Sequence, residues 1–165
     1  DLVRSRGLGD VYKRQIQLFF YNSLSLERRI ITMNYDEIKN HFYGTLGFIQ
    51  LLDMRITELS EGYCKGEMPL RPEILNPLGT VHGGCTFALA DTIGGSAALT
   101  HGKSVVTVNS NIHYLAPACN TEKLIAEAKE IKYGSSIAVY EVNVYKTDGT
   151  MVAASTQSYF VFQNK

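Results

Sequence analysis

The sequence predicts an α+β domain in which an antiparallel sheet curls around one long central helix. Residues 83–100 are small or apolar nearly all round, which is typical of a helix buried on every side. Two strand-like segments precede this helix and four follow it, with turn signals between several of them. At 165 residues the chain is long enough for one such core and too short for two.

The first 32 residues are left out of this fold prediction. Segment 1–15 shows no clear helical or strand periodicity and resembles translated adapter or vector sequence, so we expect 1–32 to be a non-native or disordered leader. The working domain is then 33–165. It opens on a short amphipathic helix that is capped by Asn34 or Asp36 and ends near Phe42.

A hairpin is predicted after this short helix, because apolar residues alternate along two stretches that flank a turn near Glu61 and Gly62. The alternating residues are Leu52, Met54 and Ile56, followed by Cys64, Gly66, Met68 and Leu70. The central helix comes next and carries Gly94 and Gly95 in its interior. Each glycine weakens a helix by about 1 kcal/mol relative to alanine, so we expect close backbone packing there.

The last third of the chain is strand-like. Alternation places Val106, Val108, Ile112 and Tyr114 on one face of a strand, and Ala138, Tyr140, Val142 and Val144 on one face of another. Segment 124–132 contains helix-favouring residues, but its even positions alternate, and we predict a strand. Asp148 and Gly149 mark a hairpin turn before a final strand at 151–162.

Composition excludes several classes of function. Sixteen basic and sixteen acidic side chains leave no net charge, so nothing indicates a nucleic-acid partner. Cys64, Cys85 and Cys119 form neither an even set nor a CxxC pair, which argues against disulfides and a zinc site and favours a reducing, cytoplasmic setting. The sequence has no apolar run long enough to span a bilayer, and we expect no membrane partner.

Two features break the pattern of an ordinary core helix. Asp91 is the one formally charged side chain between Ile74 and Gly102, and an ionised carboxylate is rarely buried without a partner. It marks either a functional site or a hydrogen-bonded packing residue. His82, Gly83 and Gly84 open the same helix, where unpaired N–H groups and a partial positive charge favour an oxyanion; the glycines could equally serve a tight turn.

The run Asn76-Pro-Leu-Gly-Thr-Val-His-Gly-Gly-Cys-Thr-Phe-Ala-Leu-Ala-Asp91, with segment 107–114 and Pro117 after it, resembles the signature of hotdog-fold acyl-CoA thioesterases of the phenylacetate-degradation (PaaI-type) family. The similarity covers nearly all of residues 33–162. It implies a hotdog fold, a homodimer or a dimer of dimers, and hydrolysis of acyl-CoA thioesters without a metal or other cofactor.

By this resemblance, Asp91 matches the catalytic carboxylate, acting as general base or as nucleophile, and Gly83 matches the amide that polarises the thioester carbonyl. Asn76 and His82 match polar residues that line the same site. Thr107 falls where some relatives carry a hydroxyl that holds the attacking water. Some relatives place a basic residue after the glycine that corresponds to Gly134, whereas this sequence has two serines there, so contacts to the CoA phosphates must come from elsewhere.

Helix geometry adds an independent expectation about the assembly. Gly84, which we expect to contact substrate, and Asp91 are seven positions apart and share a face, but they lie about 10 Å apart along the axis. Both can reach one thioester only if a second helix runs antiparallel alongside. A symmetric dimer supplies that helix, with Gly83 from one chain and Asp91 from the other.

Three alternatives stay open at the level of sequence. Cys85 lies three residues after His82 near a helix N-terminus and could act as a nucleophile, although a cysteine in an apolar helix is usually a small buried residue. The fold could serve as a non-catalytic module that senses acyl-CoA. It could also be an acyl-CoA dehydratase or hydratase, although the His-Phe-Pro entry of those enzymes is missing.

Overall fold

The computed structural model describes residues 35, 36, 39 and 47–163. Tyr35, Asp36 and Lys39 are helical, in the segment where the first short helix was predicted. The rest of that helix and the leader 1–32 lie outside the described residues.

The described chain forms one long helix and six strands, in the order that the sequence predicted. The elements are α1 (Phe48–Leu51), β1 (Arg55–Ser60), β2 (Tyr63–Pro69), a short 3-10 helix (Pro72–Ile74), α2 (Gly83–Leu99), β3 (Val105–Tyr114), β4 (Lys123–Tyr133), β5 (Ile137–Lys146) and β6 (Met151–Val161). The predicted α+β class is therefore confirmed, as is the strand assignment of the ambiguous segment 124–132.

All six strands pair antiparallel in one sheet with the order β1-β2-β4-β5-β6-β3. The two predicted turns are present: Gly62 and Gly149 have positive φ angles of 69° and 85°, which a glycine adopts without strain. Helix α2 contacts every strand, so the sheet wraps around it and the core lies between them. Strands β1 and β3 form the two edges of the sheet.

The interior of α2 needs a glycine at one of its two glycine positions. A Cβ atom on Gly94 would overlap the Tyr159 hydroxyl and come within 2.6 Å of Gln157 Oε1 and 3.0 Å of Val142 Cγ2. A Cβ atom on Gly95 would meet only Tyr159 Cε1, at an ordinary 3.7 Å. The expected close packing therefore occurs at Gly94, against side chains of the sheet rather than another backbone.

One stripe of α2 is less covered than predicted. Phe87, Asp91, Gly95 and Leu99, which recur at the four-residue spacing of one helix face, are all half-buried. The expectation of burial on every side is therefore wrong along this stripe, because the described sheet leaves these four residues partly exposed.

The predicted alternation in β3 is wrong in its first half. The register between β3 and β6 shifts between Thr107 and Asn109, which makes a β-bulge at Val108. Val106 and Val108 are consequently 49% and 58% exposed, whereas Thr107 pairs with Tyr159 and turns toward α2. The bulge thus replaces an apolar residue by a hydroxyl on the helix-facing side of the edge strand.

No helix among the described residues is both long and apolar enough to cross a membrane. The three cysteines are free, with Cys64 buried and Cys85 and Cys119 half-buried.

Candidate active site

The N-terminus of α2 has one backbone N–H group left over. A helix begins with four N–H groups that lack intrahelical acceptors. Here the Gly84 N–H donates to His82 Nδ1 at 2.9 Å, and the Cys85 and Thr86 N–H groups donate to the His82 carbonyl. Within the described chain the Gly83 N–H has no acceptor, so it is the group available to a ligand.

His82 and Gly84 are thus joined to each other at the start of the helix. Because His82 Nδ1 accepts a hydrogen bond, the neutral ring carries its proton on Nε2. The ring serves as the N-cap of α2. The Gly84 N–H, in turn, is already occupied by the capping ring.

Asn76 fixes the turn that leads into α2. Its Oδ1 accepts from the Leu78 and Thr80 N–H groups at 2.9 and 3.2 Å, and its Nδ2 donates to Thr80 Oγ1 at 2.8 Å. One of the two Nδ2 hydrogens remains for another acceptor. The side chain therefore braces this turn and can also present a donor beside Gly83.

Asn76 and Gly83 line a shared cavity of about 430 Å³, here called the Gly83 cavity. Its other lining residues are Leu78, Thr80, Val81, Thr86, Tyr114, Leu115, Ala116, Pro117, Ala118 and Val152. The Tyr114 hydroxyl donates to the Gly83 carbonyl at 2.9 Å and so holds the first turn of α2 in place. Tyr114 comes from the far end of β3, and nothing in its alternating segment indicated this contact.

Asp91 lies two turns further along α2, on the half-exposed stripe. Its Oδ1 accepts a hydrogen bond from the Thr107 hydroxyl at 2.9 Å. Among the described residues its Oδ2 has no hydrogen-bond donor, and no cation lies within ion-pair distance. The carboxylate is therefore oriented through one oxygen, and the other is left for a ligand.

Asp91 and Thr107 line a second cavity of about 340 Å³, here called the Asp91 groove. Its other lining residues are Ile49, Thr92, Gly95, Ser96, Leu99, Val105, Val106 and Tyr159. The groove and the Gly83 cavity have no lining residue in common. Eight residues of helix place Gly83 about 12 Å from Asp91 along the axis. The structure therefore brings the predicted residues together in two groups rather than one.

Two residues of the sheet pack under the turn of α2 that carries Asp91. Tyr159 and Gln157 are buried, and the Tyr159 hydroxyl donates to Gln157 Oε1 and lies 3.5 Å from the Asp91 carbonyl. Burial, and then the charge of Asp91, raise the pKa of Tyr159, so the phenol stays a donor. Both residues alternate as core positions in the sequence, which is why they gave no functional signal.

The rival nucleophile Cys85 is unsuited to catalysis, and two further histidines of the described chain lie at other positions. Burial raises the pKa of the Cys85 thiol, which opposes the thiolate that a cysteine nucleophile needs. His101, just beyond α2, contacts Glu130 at 2.6 Å, and His113 lies on β3. No group of three His, Cys, Asp or Glu side chains within the described ranges is arranged to hold a metal ion.

Comparison with known proteins assigns the chain to a family. Residues 78–153 match the model of the thioesterase superfamily. The chain is 37% identical to a provisionally named esterase of Archaeoglobus fulgidus, over 72% of this chain and 77% of that protein. It is 32% identical to acyl-coenzyme A thioesterase 13 of Mus musculus, over 74% of this chain and 91% of that protein.

Solved structures share the same architecture. A thioesterase from Haemophilus influenzae superposes with a TM-score of 0.71 at 26% identity, covering 80% of this chain and 92% of that one. A variant of the phenylacetic acid degradation protein PaaI from Thermus thermophilus superposes with a TM-score of 0.66 at 29% identity, covering 70% and 98%. The chain has the hotdog fold and is a thioesterase of the thioesterase superfamily, similar to its PaaI-type members.

Proposed function

We propose that this protein hydrolyses acyl-CoA thioesters at a site shared by two copies of the chain. The observation that carries the proposal is the division of the site: one helix presents an unpaired N–H at Gly83 and an oriented carboxylate at Asp91, in two separate cavities. Each cavity holds half of what thioester hydrolysis needs. A donor is required for the developing oxyanion, and a base or nucleophile for the carbonyl carbon.

The edge strand β3 offers a way to bring the halves together. It carries both Thr107, which holds Asp91, and Tyr114, which holds Gly83. Among the described residues its outer edge has no strand partner, and it displays Val106 and Val108, features that favour association with another strand.

The same strand also fits a two-fold pairing. If β3 pairs antiparallel with its copy about an axis near Asn111, the bulge takes up one residue and Thr107 lies opposite Tyr114 of the partner. That pairing places each Asp91 toward the Gly83 of the other chain. It would also cover the open stripe of α2, which the sheet of a single chain leaves half-buried. A dimer, or a dimer of such dimers, follows.

The proposed reaction uses no metal or other cofactor. The substrate carbonyl oxygen accepts the Gly83 N–H hydrogen bond, strengthened by the positive end of the α2 dipole. Asp91 then either takes a proton from a water that attacks the carbonyl carbon or attacks it directly, forming an anhydride that water hydrolyses. In both routes the carbon–sulfur bond breaks, and CoA leaves as a thiolate that takes up a proton, beside the free carboxylic acid.

The other predicted residues receive supporting roles. Thr107 orients Asp91 through Oδ1, which leaves Oδ2 for the water or the carbonyl carbon. Asn76 shapes the turn before α2 and offers its free Nδ2 hydrogen to the substrate. His82 caps the helix through Nδ1 and keeps its Nε2–H for another acceptor, and Gly84 gives substrate room to approach the helix end.

Acyl-CoA is proposed as the substrate class because the mouse relative is named an acyl-coenzyme A thioesterase. The three free thiols fit a reducing cytoplasm, which we propose as the location.

Replacement of Asp91 by Asn tests the chemistry. The amide keeps the size and the Thr107 contact but provides neither a base nor a nucleophile, so kcat for acyl-CoA should fall about 10²- to 10⁴-fold. KM should change far less. The readout is free CoA released from a panel of short, medium, long and aryl acyl-CoAs, with Cys85→Ser as the matched control for the rival nucleophile.

The outcomes separate the open alternatives. Near-normal turnover by the Asp91→Asn variant contradicts the assigned role, and loss of turnover in Cys85→Ser alone would transfer it to the thiol. Tight binding of acyl-CoA with no CoA release by the wild-type protein would favour the sensing module. Hydration of an enoyl-CoA would favour the dehydratase or hydratase.

A further inference from the structure

We propose that Tyr114 is a positioning residue of the thioesterase site and that it acts on His82 through the peptide group between Gly83 and Gly84. This inference rests on the proposed hydrolysis of acyl-CoA. The Tyr114 hydroxyl donates to the carbonyl of that peptide at 2.9 Å, and the N–H of the same peptide donates to His82 Nδ1 at 2.9 Å. These two hydrogen bonds, here called the Tyr114–His82 link, join a phenol of β3 to the ring that caps α2.

The peptide group fixes the direction of the Tyr114–His82 link. A backbone carbonyl can only accept and a backbone N–H can only donate, so Tyr114 is the donor at one end and His82 Nδ1 the acceptor at the other. Partial burial raises the pKa of the Tyr114 phenol above its usual value, so the phenol keeps the hydrogen that it donates. The link therefore leaves the Nε2 hydrogen of the neutral His82 ring for the substrate.

Two glycines let both rings approach the same peptide group. The carbonyl and the N–H of a trans peptide point to opposite sides, and here each side meets one ring. A Cβ atom on Gly83 would lie 3.3–3.4 Å from three atoms of Tyr114, and one on Gly84 would lie 3.0 Å from His82 Nδ1. Contacts this close hold the peptide plane, so the orientation of the His82 ring depends on Tyr114.

Tyr114 is a suitable anchor because its own backbone is held in the sheet. It is the last residue of β3 and pairs with Ala153 of β6. The N–H of the next residue, Leu115, donates to the Val152 carbonyl at 2.9 Å. The Tyr114–His82 link therefore ties the first turn of α2, and the ring that caps it, to the hydrogen-bonded edge of the sheet.

The placement of the His82 ring matters because negative charge develops during the proposed reaction. The carbonyl oxygen gains charge first and the departing sulfur gains it next, and a fixed neutral N–H donor stabilises such charge without having to reorganise. Hydrogen bonds in series polarise one another, so donation by Tyr114 also strengthens the donor at His82 Nε2. Tyr114 serves the reaction in this way without touching the substrate.

A double-mutant cycle between Tyr114 and His82 tests the proposal. Tyr114→Phe removes only the hydroxyl and should lower kcat about 2- to 10-fold, the usual effect of one neutral hydrogen bond, with KM nearly unchanged. Asparagine is a preferred N-cap residue, so His82→Asn keeps the cap of α2 but has no ring N–H. In that background Tyr114→Phe should have almost no further effect on kcat.

Tyr133→Phe is the matched control for the loss of a phenol. The Tyr133 hydroxyl is buried without a hydrogen-bond partner in the part of the chain that the structure describes, and the residue lies outside both cavities, so this variant should keep the wild-type kcat. Tyr114 is 54% exposed and phenylalanine keeps its ring, so Tyr114→Phe should fold, which thermal unfolding checks.

A second readout needs no substrate. In protein labelled with ¹⁵N-histidine, the His82 signals are identified by their loss in His82→Asn. In Tyr114→Phe the His82 Nδ1 resonance should move toward that of an imidazole nitrogen that accepts no hydrogen bond. A tyrosine that only stabilises the fold would leave this resonance in place.

The outcomes are separable. An equal loss of kcat when Tyr114→Phe is added to the wild type and to His82→Asn overturns the proposal, because the tyrosine would then act on Gly83 or on the substrate directly. An unmoved Nδ1 resonance also overturns it, and in both cases the proposed hydrolysis stands. No release of CoA from any acyl-CoA by the wild-type protein overturns the hydrolysis itself, and with it the role of Tyr114.

Discussion

At the scale of single residues, the site depends on two groups left without partners in the described chain. The Gly83 N–H is open because His82 satisfies the next three N–H groups of α2 through its ring and its carbonyl. Asp91 Oδ2 is open because Thr107 binds only Oδ1. Unpaired polar groups of this kind persist where a ligand completes them.

The Gly83 N–H can be deleted with little change to the backbone. Proline lacks this hydrogen and is favoured at the first position of a helix. His82 has φ −58° and ψ 133°, the extended geometry that a residue before proline adopts. Gly83→Pro should therefore remain folded but lower kcat about 10²- to 10³-fold, the usual effect of losing an oxyanion donor.

Gly83→Ala is the matched control for that substitution. It adds the same Cβ atom, 3.3 Å from the Tyr114 ring, but keeps the N–H. Steady-state kinetics should show a much smaller loss of kcat for alanine than for proline. Equal losses in the two variants would mean that crowding at Tyr114, rather than the missing hydrogen, disables the enzyme.

Sequence reasoning found the residues that break a local rule. Asp91 is a charge within an apolar helix, and Gly83 follows a histidine at the start of that helix. Tyr159 and Gln157 could not be found in this way, and neither could the contact of Tyr114 with Gly83. The contacts of Tyr114 with Gly83 and of Tyr159 with Asp91 cross 31 and 68 residues of sequence. Aromatic or polar residues in an alternating strand also resemble ordinary core or surface positions.

At the scale of elements, the two glycines inside α2 have different reasons to be there. Gly94 is required by the sheet, because any side chain would collide with Tyr159 and Gln157. Gly95 is not required for packing and weakens the helix by about 1 kcal/mol relative to alanine. The sequence alone shows only a glycine pair, since which of the two faces the sheet depends on how the helix is rotated.

This difference predicts opposite effects on stability. Gly94→Ala overpacks the core and should destabilise the protein by about 1–3 kcal/mol. Gly95→Ala meets only ordinary contacts and should stabilise it by up to about 1 kcal/mol. Thermal denaturation should place the midpoints on opposite sides of the wild type, by roughly 2–4 °C per kcal/mol. Equal midpoints for the two variants would refute the described rotation of α2.

Strand β3 marks the limit of periodicity arguments. Alternation predicted Val106 and Val108 on the same face as Ile112 and Tyr114. The predicted alternation holds only for the residues after the bulge at Val108. A bulge adds one residue to one strand, and a single sequence carries no reliable sign of it. Because of the bulge, Thr107 points toward Asp91 and two valines are left exposed on the edge.

At the scale of the whole molecule, element type and order followed from the sequence because each element is locally consistent. The hairpin of β1 and β2 alternates, the central helix is small or apolar nearly all round, and the later strands alternate over at least part of their length. The spatial order of the strands, with β3 beside β6 at the edge, is set by long-range pairing and required the coordinates. Because β3 lies at an edge, it can pair with the same strand of a second chain, as the shared site requires.

Mixing two inactive variants tests the shared site most directly. Chains with Asp91→Asn and chains with Gly83→Pro are unfolded and refolded together in equal amounts, and CoA release is compared with the variants refolded separately. Random assortment makes half of the dimers mixed, each with one intact and one doubly altered site, so about a quarter of wild-type activity should return. If Gly83 and Asp91 act within one chain, the mixture will be no more active than the separate variants.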